Sequence, residues 1–281
     1  MSEETPDNTE QPEETISTRR AWISSIVFTL LCAVVVAAVV YSRPHVRFTE
    51  KPAPVLVELF TSEGCSSCPP AEALLAELSA KQPVAGARVI PLAWHVDYWD
   101  RLGWKDRFSS REHTQRQYQY ARLFSADGVY TPQMVVDGHE EFVGSDRGKA
   151  FGAIDEAIKV EKAPLQVVVD KAVENKINAE VSGDELHEAH LDSDLFVCLT
   201  EDDLSTNVKA GENAGKSLQH MAVVRDFEKV ALPGSAANGP YSVPVKLSLP
   251  VGARPSNCHV VAFIQQRGDG RILAVDQATL R

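Results

Sequence analysis

No stretch of this chain gathers lysine and arginine into a basic stripe, and its 28 basic residues are outnumbered by 39 acids for a formal charge of −11. Binding to a nucleic-acid phosphate backbone needs such a stripe and is excluded. No serine stands in G-x-S-x-G or a similar nucleophile context, so hydrolase chemistry has no support. Gly211-Glu212-Asn213-Ala214-Gly215-Lys216 is glycine-spaced but lacks the strand-to-helix context of a phosphate loop, and reads as a hairpin connection. No internal repeat points to a solenoid. Cysteine is scarce, with only Cys32, Cys65, Cys68, Cys198 and Cys258. Near Cys65 there is no second Cys or His pair at the ligand spacing of a zinc site, and no cofactor motif occurs, so neither a metal nor a cofactor is expected.

What the chain does have is enough apolar residue, 44% of 281, to bury a sizeable core divided between two domains. Residues 21–42 read AWISSIVFTLLCAVVVAAVVYS without a charge. At ~1.5 Å per residue this run covers the ~30 Å of a bilayer core, so an N-terminal transmembrane helix is expected, with Cys32 as apolar filler. The polar leader is long for a signal peptide and no A-x-A site follows, which favours an uncleaved anchor. Residues 1–20, rich in Glu, Thr and Pro, read as a disordered acidic tail. Without the six acids and two bases of that tail the rest holds 33 acids against 26 bases, an ordinary surface charge. Residues 43–54, with Pro44, Pro52 and Pro54, form a stiff linker. The expected location is the inner membrane, single-pass through residues 21–42, with the C-terminal domains periplasmic or otherwise extracytoplasmic, where disulfides persist.

Residues 55–162 mix strands and helices. Strands are expected at 55–60, 87–95 and 133–136 and near Phe142, with helices over about 67–80, 110–124 and 145–160. Ser145 followed by Asp146 reads as an N-cap and first-turn acid. An Asp137-Gly138 turn follows the strand at 133–136. Residues 164–281 change to about seven alternating strands with no convincing helix, the pattern of a β-sandwich-like domain. Cys198 and Cys258 fall in apolar strands there, where buried unpaired thiols are slightly preferred over a disulfide.

The strongest chemical signal is Gly64-Cys65-Ser66-Ser67-Cys68-Pro69-Pro70, placed directly after a hydrophobic strand and opening an apolar-periodic helix. Two residues between cysteines allow a small disulfide ring, and helix N-terminal amides favour a thiolate at the first cysteine. Pro69 and Pro70 remove two of those amides, which weakens the effect and keeps a structural disulfide in play. The strand, C-x-x-C, helix order resembles the thioredoxin-fold oxidoreductases over roughly residues 53–162, and Tyr130-Thr131-Pro132-Gln133 resembles their cis-proline loop. More specifically, VELFTSEGCSSCPPAE, WHVDYWDRLGWKDRFS, YTPQMVVDG and GENAGKSLQH resemble the domain of unknown function 1223 family, exported thioredoxin-like proteins of unassigned activity.

The resemblance implies an α/β thioredoxin-like domain followed by the all-β sandwich-like domain. It implies Cys65 as attacking thiolate, Cys68 as resolving thiol, and Pro132 as a cis-proline facing them. Glu58 would be a buried acid with a raised pKa that shuttles the Cys68 proton, or else an edge-of-strand carboxylate. Trp94, Tyr98, Trp99 and Trp104 crowd one segment, where they line a substrate groove or, more commonly for aromatics, simply pack. Tyr98, Trp99 and Thr131 are the candidate substrate-binding residues. The expected function is a membrane-tethered, extracytoplasmic thiol:disulfide oxidoreductase acting on protein thiols or a redox partner protein. The alternatives are a non-catalytic partner-binding adaptor with a structural disulfide, and a copper chaperone in which His95 and His139 join Cys65 and Cys68 as ligands. Oligomeric state carries no sequence signal.

Overall fold

Alternation along Ala53–Thr61 (β1) sets the layering of the molecule. Val55, Val57 and Leu59 face one side of the sheet and Leu56 and Phe60 the other, all without solvent exposure. β1 pairs in parallel with Ala87–His95 (β2) and antiparallel with Gln133–Val136 (β3). β3 turns at Asp137-Gly138, both with positive φ, into Glu140–Val143 (β4). An Asp-Gly pair meets that backbone demand at low cost. The structure is a computed structural model and describes residues 51–186 and 192–280.

Helix α1 (Pro69–Lys81) starts at two prolines, which tolerate the first helical turn because its amides have no intrahelical partner. Its buried positions, Ala71, Leu74, Leu75 and Leu78, recur at helical spacing and lie against Val57 and Leu59. Leu75 and Leu78 are at most 1% exposed, so truncating either to Ala would cost ~2–5 kcal/mol. Helix α2 (Arg111–Leu123) lies over the opposite face and is capped by Ser110, whose hydroxyl accepts from the Glu112 amide. Helix α3 (Arg147–Ala157) joins α1 on the first face. Its N-cap is Asp146, accepting from the Lys149 amide, and not Ser145.

The remaining strands are Leu165–Val169 (β5), Lys176–Gly183 (β6), Ser193–Glu201 (β7), Leu204–Asn207 (β8), Ser217–His220 (β9), Val223–Ala231 (β10), Tyr241–Ser248 (β11), Cys258–Gln266 (β12) and Ile272–Thr279 (β13). They do not close into a separate body. One eight-stranded mixed sheet runs β13-β12-β7-β10-β2-β1-β3-β4, and a three-stranded sheet, β11-β6-β5, shares an apolar core with its β7, β12 and β13 strands. β8 and β9 form a short ribbon of their own.

The expected fold class is therefore corrected. An α/β thioredoxin-like domain followed by an independent all-β sandwich-like domain is not what the chain forms; it is mostly β, and one sheet spans both sequence segments. The junction is β10 beside β2, where Val223 pairs with Ala93 and the Ala93 amide donates to Ala222. β2 is buried along nearly its whole length, so the backbone of its second edge needs partners: the Gln82 side chain takes the Val89 amide and carbonyl, and the C-terminal segment takes the Ala93 amide. The expected N-terminal transmembrane helix, residues 21–42 with Cys32, lies outside the described residues, as do the acidic tail and most of the linker. Among the described residues no helix is long and apolar enough to cross a membrane.

Cys198 and Cys258 are both free and buried. Their strands are neighbours, but Cys198 pairs with Val261 and Cys258 with Glu201. Cys198 packs with Leu56 and Phe263 while Cys258 belongs to the core between the two sheets, so alternation turns the two thiols to opposite faces.

Candidate functional site

Cys65 and Cys68 form a disulfide between the end of β1 and the start of α1, with Cα atoms 5.4 Å apart. Neither cysteine has solvent exposure, although Ser66 and Ser67 between them are exposed. The Cys65 Sγ lies 3.3 Å from the Ser67 hydroxyl. Two residues of the loop between β8 and β9 clamp the turn. The Asn213 side-chain amide donates to the carbonyls of Glu63 and Cys65, each at 2.9 Å, and Glu212 accepts from the Ser66 amide at 3.0 Å. Lys216 donates to the Asn213 carbonyl oxygen at 2.9 Å, which fixes the orientation of that amide. The glycine-spaced run read as a hairpin connection thus lies against the disulfide.

Behind the disulfide the structure assembles a buried polar cluster that sequence reasoning missed. Asp106 accepts from the Glu63 and Phe108 amides, both at 2.8 Å, and faces His95 Nδ1 at 2.6 Å. Burial alone would raise the Asp106 carboxyl, but His95 and the backbone donors outweigh it and hold the group below its ordinary range. An ionised carboxylate only accepts, so Nδ1 of His95 is the donor to Asp106, and Nε2 on the far side of the ring has no hydrogen-bond partner. His220 places Nδ1 2.6 Å from Glu72 Oε2 and Nε2 3.4 Å from Glu63 Oε1. Burial alone would lower His220; the two carboxylates prevail and bring it to about 9. Thr61 donates to the other Glu72 oxygen at 2.7 Å, and the Trp104 indole to the other Glu63 oxygen at 2.7 Å. The His95 and His220 rings meet edge-on with centroids 5.1 Å apart, and Phe108 packs against both.

Each member of this cluster sits in a quoted sequence block: Glu63 and Glu72 around the cysteines, His95 and Asp106 in the aromatic segment, Asn213 and His220 in the late glycine-spaced run. Their spacing matches no ligand or catalytic motif, because residues at β1, α1, β2 and β9 lie far apart in the chain and meet only in the folded protein.

Glu58 is buried as one reading required, but its carboxylate is occupied elsewhere. Arg116 of α2 donates to both oxygens at 2.6 and 2.8 Å, Trp94 donates at 2.8 Å, and the Tyr120 hydroxyl completes the set. It points with Leu56 and Phe60 to the α2 face, opposite α1, whose first turn follows the disulfide. Arg116 is itself 3% exposed, so this is a buried ion pair between layers.

The Thr131-Pro132 peptide is cis. A ring of amides holds the segment, with Gln117 donating to the Tyr130 carbonyl at 2.7 Å and to Gln133 at 2.9 Å. The Trp99 indole donates to the Thr131 hydroxyl at 2.7 Å, and a Cβ built on Gly64 would sit 3.4 Å from the Trp99 Cβ. Trp99 therefore links the turn leading into Cys65 with the residue before Pro132. Tyr98 is half-buried, donates to Gln117 at 3.2 Å, and has its hydroxyl pushed up to about 12 by burial. All four aromatics of the crowded segment pack, and each has its polar atom engaged, Trp94 on Glu58 and Trp104 on Glu63 included. The copper set is not assembled. Cys65 and Cys68 are joined, and His139 is exposed on the β3–β4 turn near the start of β1, whereas His95 pairs with Thr61 at its end.

Among solved structures the chain is similar to protein AGR_C_4864 from Agrobacterium tumefaciens, with 28% identity, 82% of this chain and 96% of that one covered, and a TM-score of 0.59. HBP35 of Porphyromonas gingivalis shares the fold at 16% identity, with 82% and 76% coverage and a TM-score of 0.59. No protein of curated function matches the sequence. Residues 56–265, which contain the disulfide, the clamp and the buried cluster, match the family described as "Protein of unknown function (DUF1223)", and the chain belongs to that family.

Proposed function

We propose that this protein is a thiol:disulfide oxidoreductase of an oxidising, extracytoplasmic compartment, working through Cys65 and Cys68. The observation that carries this reading is the disulfide itself, closed across two residues at a strand-to-helix junction. In the reduced protein the Cys65 thiolate attacks a substrate disulfide, forming a mixed disulfide and releasing one substrate thiolate. The Cys68 thiolate then attacks Cys65 Sγ, restores the internal disulfide and releases the second substrate thiolate. Two electrons pass to the substrate, and a dithiol redox partner protein returns them. Pro69 and Pro70 withhold amides that would steady the Cys65 thiolate; the Ser67 hydroxyl beside Cys65 Sγ supplies a donor in their place. Tyr98, Trp99 and Thr131 form the surface on which the partner chain rests, next to Pro132.

A second reading draws on the zero exposure of both cysteines and the clamp from Glu212 and Asn213. These support a structural disulfide in a non-catalytic partner-binding protein. Exchange requires the β8–β9 loop to lift from the C-x-x-C turn; a structural role requires it to stay. The reduction potential separates them, a value below about −300 mV marking the structural role. For the oxidoreductase, a Cys68→Ser variant expressed in the native compartment accumulates mixed disulfides through Cys65. Absence of trapped partners together with a potential below that limit would overturn the redox reading.

A further inference from the structure

The buried cluster behind the disulfide is more than a set of ion pairs. One donor atom each from Glu72, His95 and His220 lie within 4.8 Å of one another. His95 has no solvent exposure, its Nδ1 is taken by Asp106, and its Nε2 has no hydrogen-bond partner. A buried imidazole nitrogen left without a partner is destabilising unless something occupies it. Glu63, Glu72 and Asp106 bring three carboxylates into the same region, and among the described residues no lysine or arginine bonds to any of them.

From this geometry we propose a binding site for a divalent transition-metal ion, Zn²⁺ in the first instance, with His95 Nε2, His220 Nδ1 and a Glu72 carboxylate oxygen as ligands. The outer contacts are those a metal site uses. Asp106 on Nδ1 of His95 orients that ring from behind, Glu63 Oε1 stands 3.4 Å from Nε2 of His220, itself without a hydrogen-bond partner, and the Thr61 hydroxyl holds the free oxygen of Glu72. Carboxylates placed on the far nitrogen of a ligating imidazole fix its tautomer and strengthen its basicity. The ion takes the place of the proton between His220 Nδ1 and Glu72 Oε2, and their 2.6 Å separation opens to the ~3.3 Å that two ligands ~2.0–2.1 Å from a tetrahedral ion require.

Two nitrogens and one carboxylate make three protein ligands, the number that leaves a zinc ion one open position. A surface cleft of about 340 Å³ reaches Glu72 and His220 between α1 and β9, with Pro69, Ala73 and Leu218 also on its walls. It provides the route by which an ion and its water would enter. The site does not depend on whether the disulfide exchanges, since no thiolate is among the ligands.

The test uses the full chain stripped with chelator and then titrated with Zn²⁺ against a chromophoric competitor, with Co²⁺ as the spectroscopic probe. One ion per chain is expected. The Co²⁺ form should show d–d bands of a nitrogen and oxygen site and no thiolate-to-metal charge-transfer band. His95→Gln and Glu72→Gln should each weaken binding by at least ~100-fold, and Asp106→Asn, acting through His95, by ~10–100-fold. The Cys65→Ser/Cys68→Ser double variant should bind as wild type does, which separates this site from the redox centre. Thermal melting of each variant establishes that it folds, and the Co²⁺ spectrum of the wild type stands without any variant. No stoichiometric binding by the wild type, or binding untouched by His95→Gln and Glu72→Gln in folded protein, would overturn the proposal.

Discussion

The side-chain amide of Asn213 donates to the backbone carbonyl of Cys65 at 2.9 Å, tying the β8–β9 loop to the redox-capable turn. The same nitrogen serves the Glu63 carbonyl, and Asn213 has no solvent exposure. One side chain from the C-terminal segment thus satisfies two acceptors on either side of Gly64.

Replacing Asn213 with Ala leaves both carbonyls buried without that donor. The expected loss of stability is about 1–3 kcal/mol, read as a lowered denaturant midpoint. Reduction of Cys65–Cys68 by dithiothreitol should become faster, because the clamp over the disulfide is released. Reduction at the wild-type rate in a destabilised variant would show that the clamp does not control access.

The Glu58–Arg116 pair is expected to matter for stability and not for electron transfer. Arg116→Met strands an ionised carboxylate between layers and should cost ~3–5 kcal/mol. Glu58→Gln should destabilise while leaving the reduction potential of the disulfide unchanged, since Glu58 lies on the other face of β1. A clear shift in potential would restore the proton-shuttle role.

Peptide mapping after alkylation provides a third check. Burial pushes the Cys258 thiol up to about 11 and the Cys198 thiol higher still. In native, unreduced protein at pH 8 neither should take up iodoacetamide; after denaturation without reductant both should, while Cys65 and Cys68 stay protected by their bond. Labelling of Cys65 or Cys68 in that sample would contradict the disulfide.

Asp202 gives a pH signature. Burial raises its carboxyl, but hydrogen bonds from His259 and the Ala222 amide outweigh that and hold it below the ordinary aspartate range. A depressed carboxyl contributes stability that is present above its unfolded value of about 3.9 and is lost as pH falls through the folded one. Asp202→Asn should therefore lower the urea midpoint at pH 7, with the difference from wild type shrinking below about pH 4. An equal difference at pH 7 and pH 3 would rule out this linkage.

The elements themselves were legible in the chain. The apolar run into C-x-x-C, the Ala71-Leu74-Leu75-Leu78 stripe, the helix beginning near Ser110 and the Asp137-Gly138 turn each carry a local signal a few residues long. Local alternation also showed that residues 164–281 are strands. It could not show which strand pairs with the open edge of β2, because Val223 would alternate in the same way in any register or sheet.

The chemistry divides along the same line. Sequence alone determined that Cys65 and Cys68 can close a small ring at the head of a helix, since two intervening residues and a strand-to-helix junction are local facts. It also placed Glu58 on the hydrophobic strand that leads into the cysteines, with burial and an edge position both open. Only the tertiary structure decided which face Glu58 takes and that Arg116 claims it. It alone brought His95, from the end of β2, and His220, from a ribbon late in the chain, together with Glu72 behind the disulfide. Burial and ligand geometry are properties of contacts between distant segments, and no window along the chain contains them.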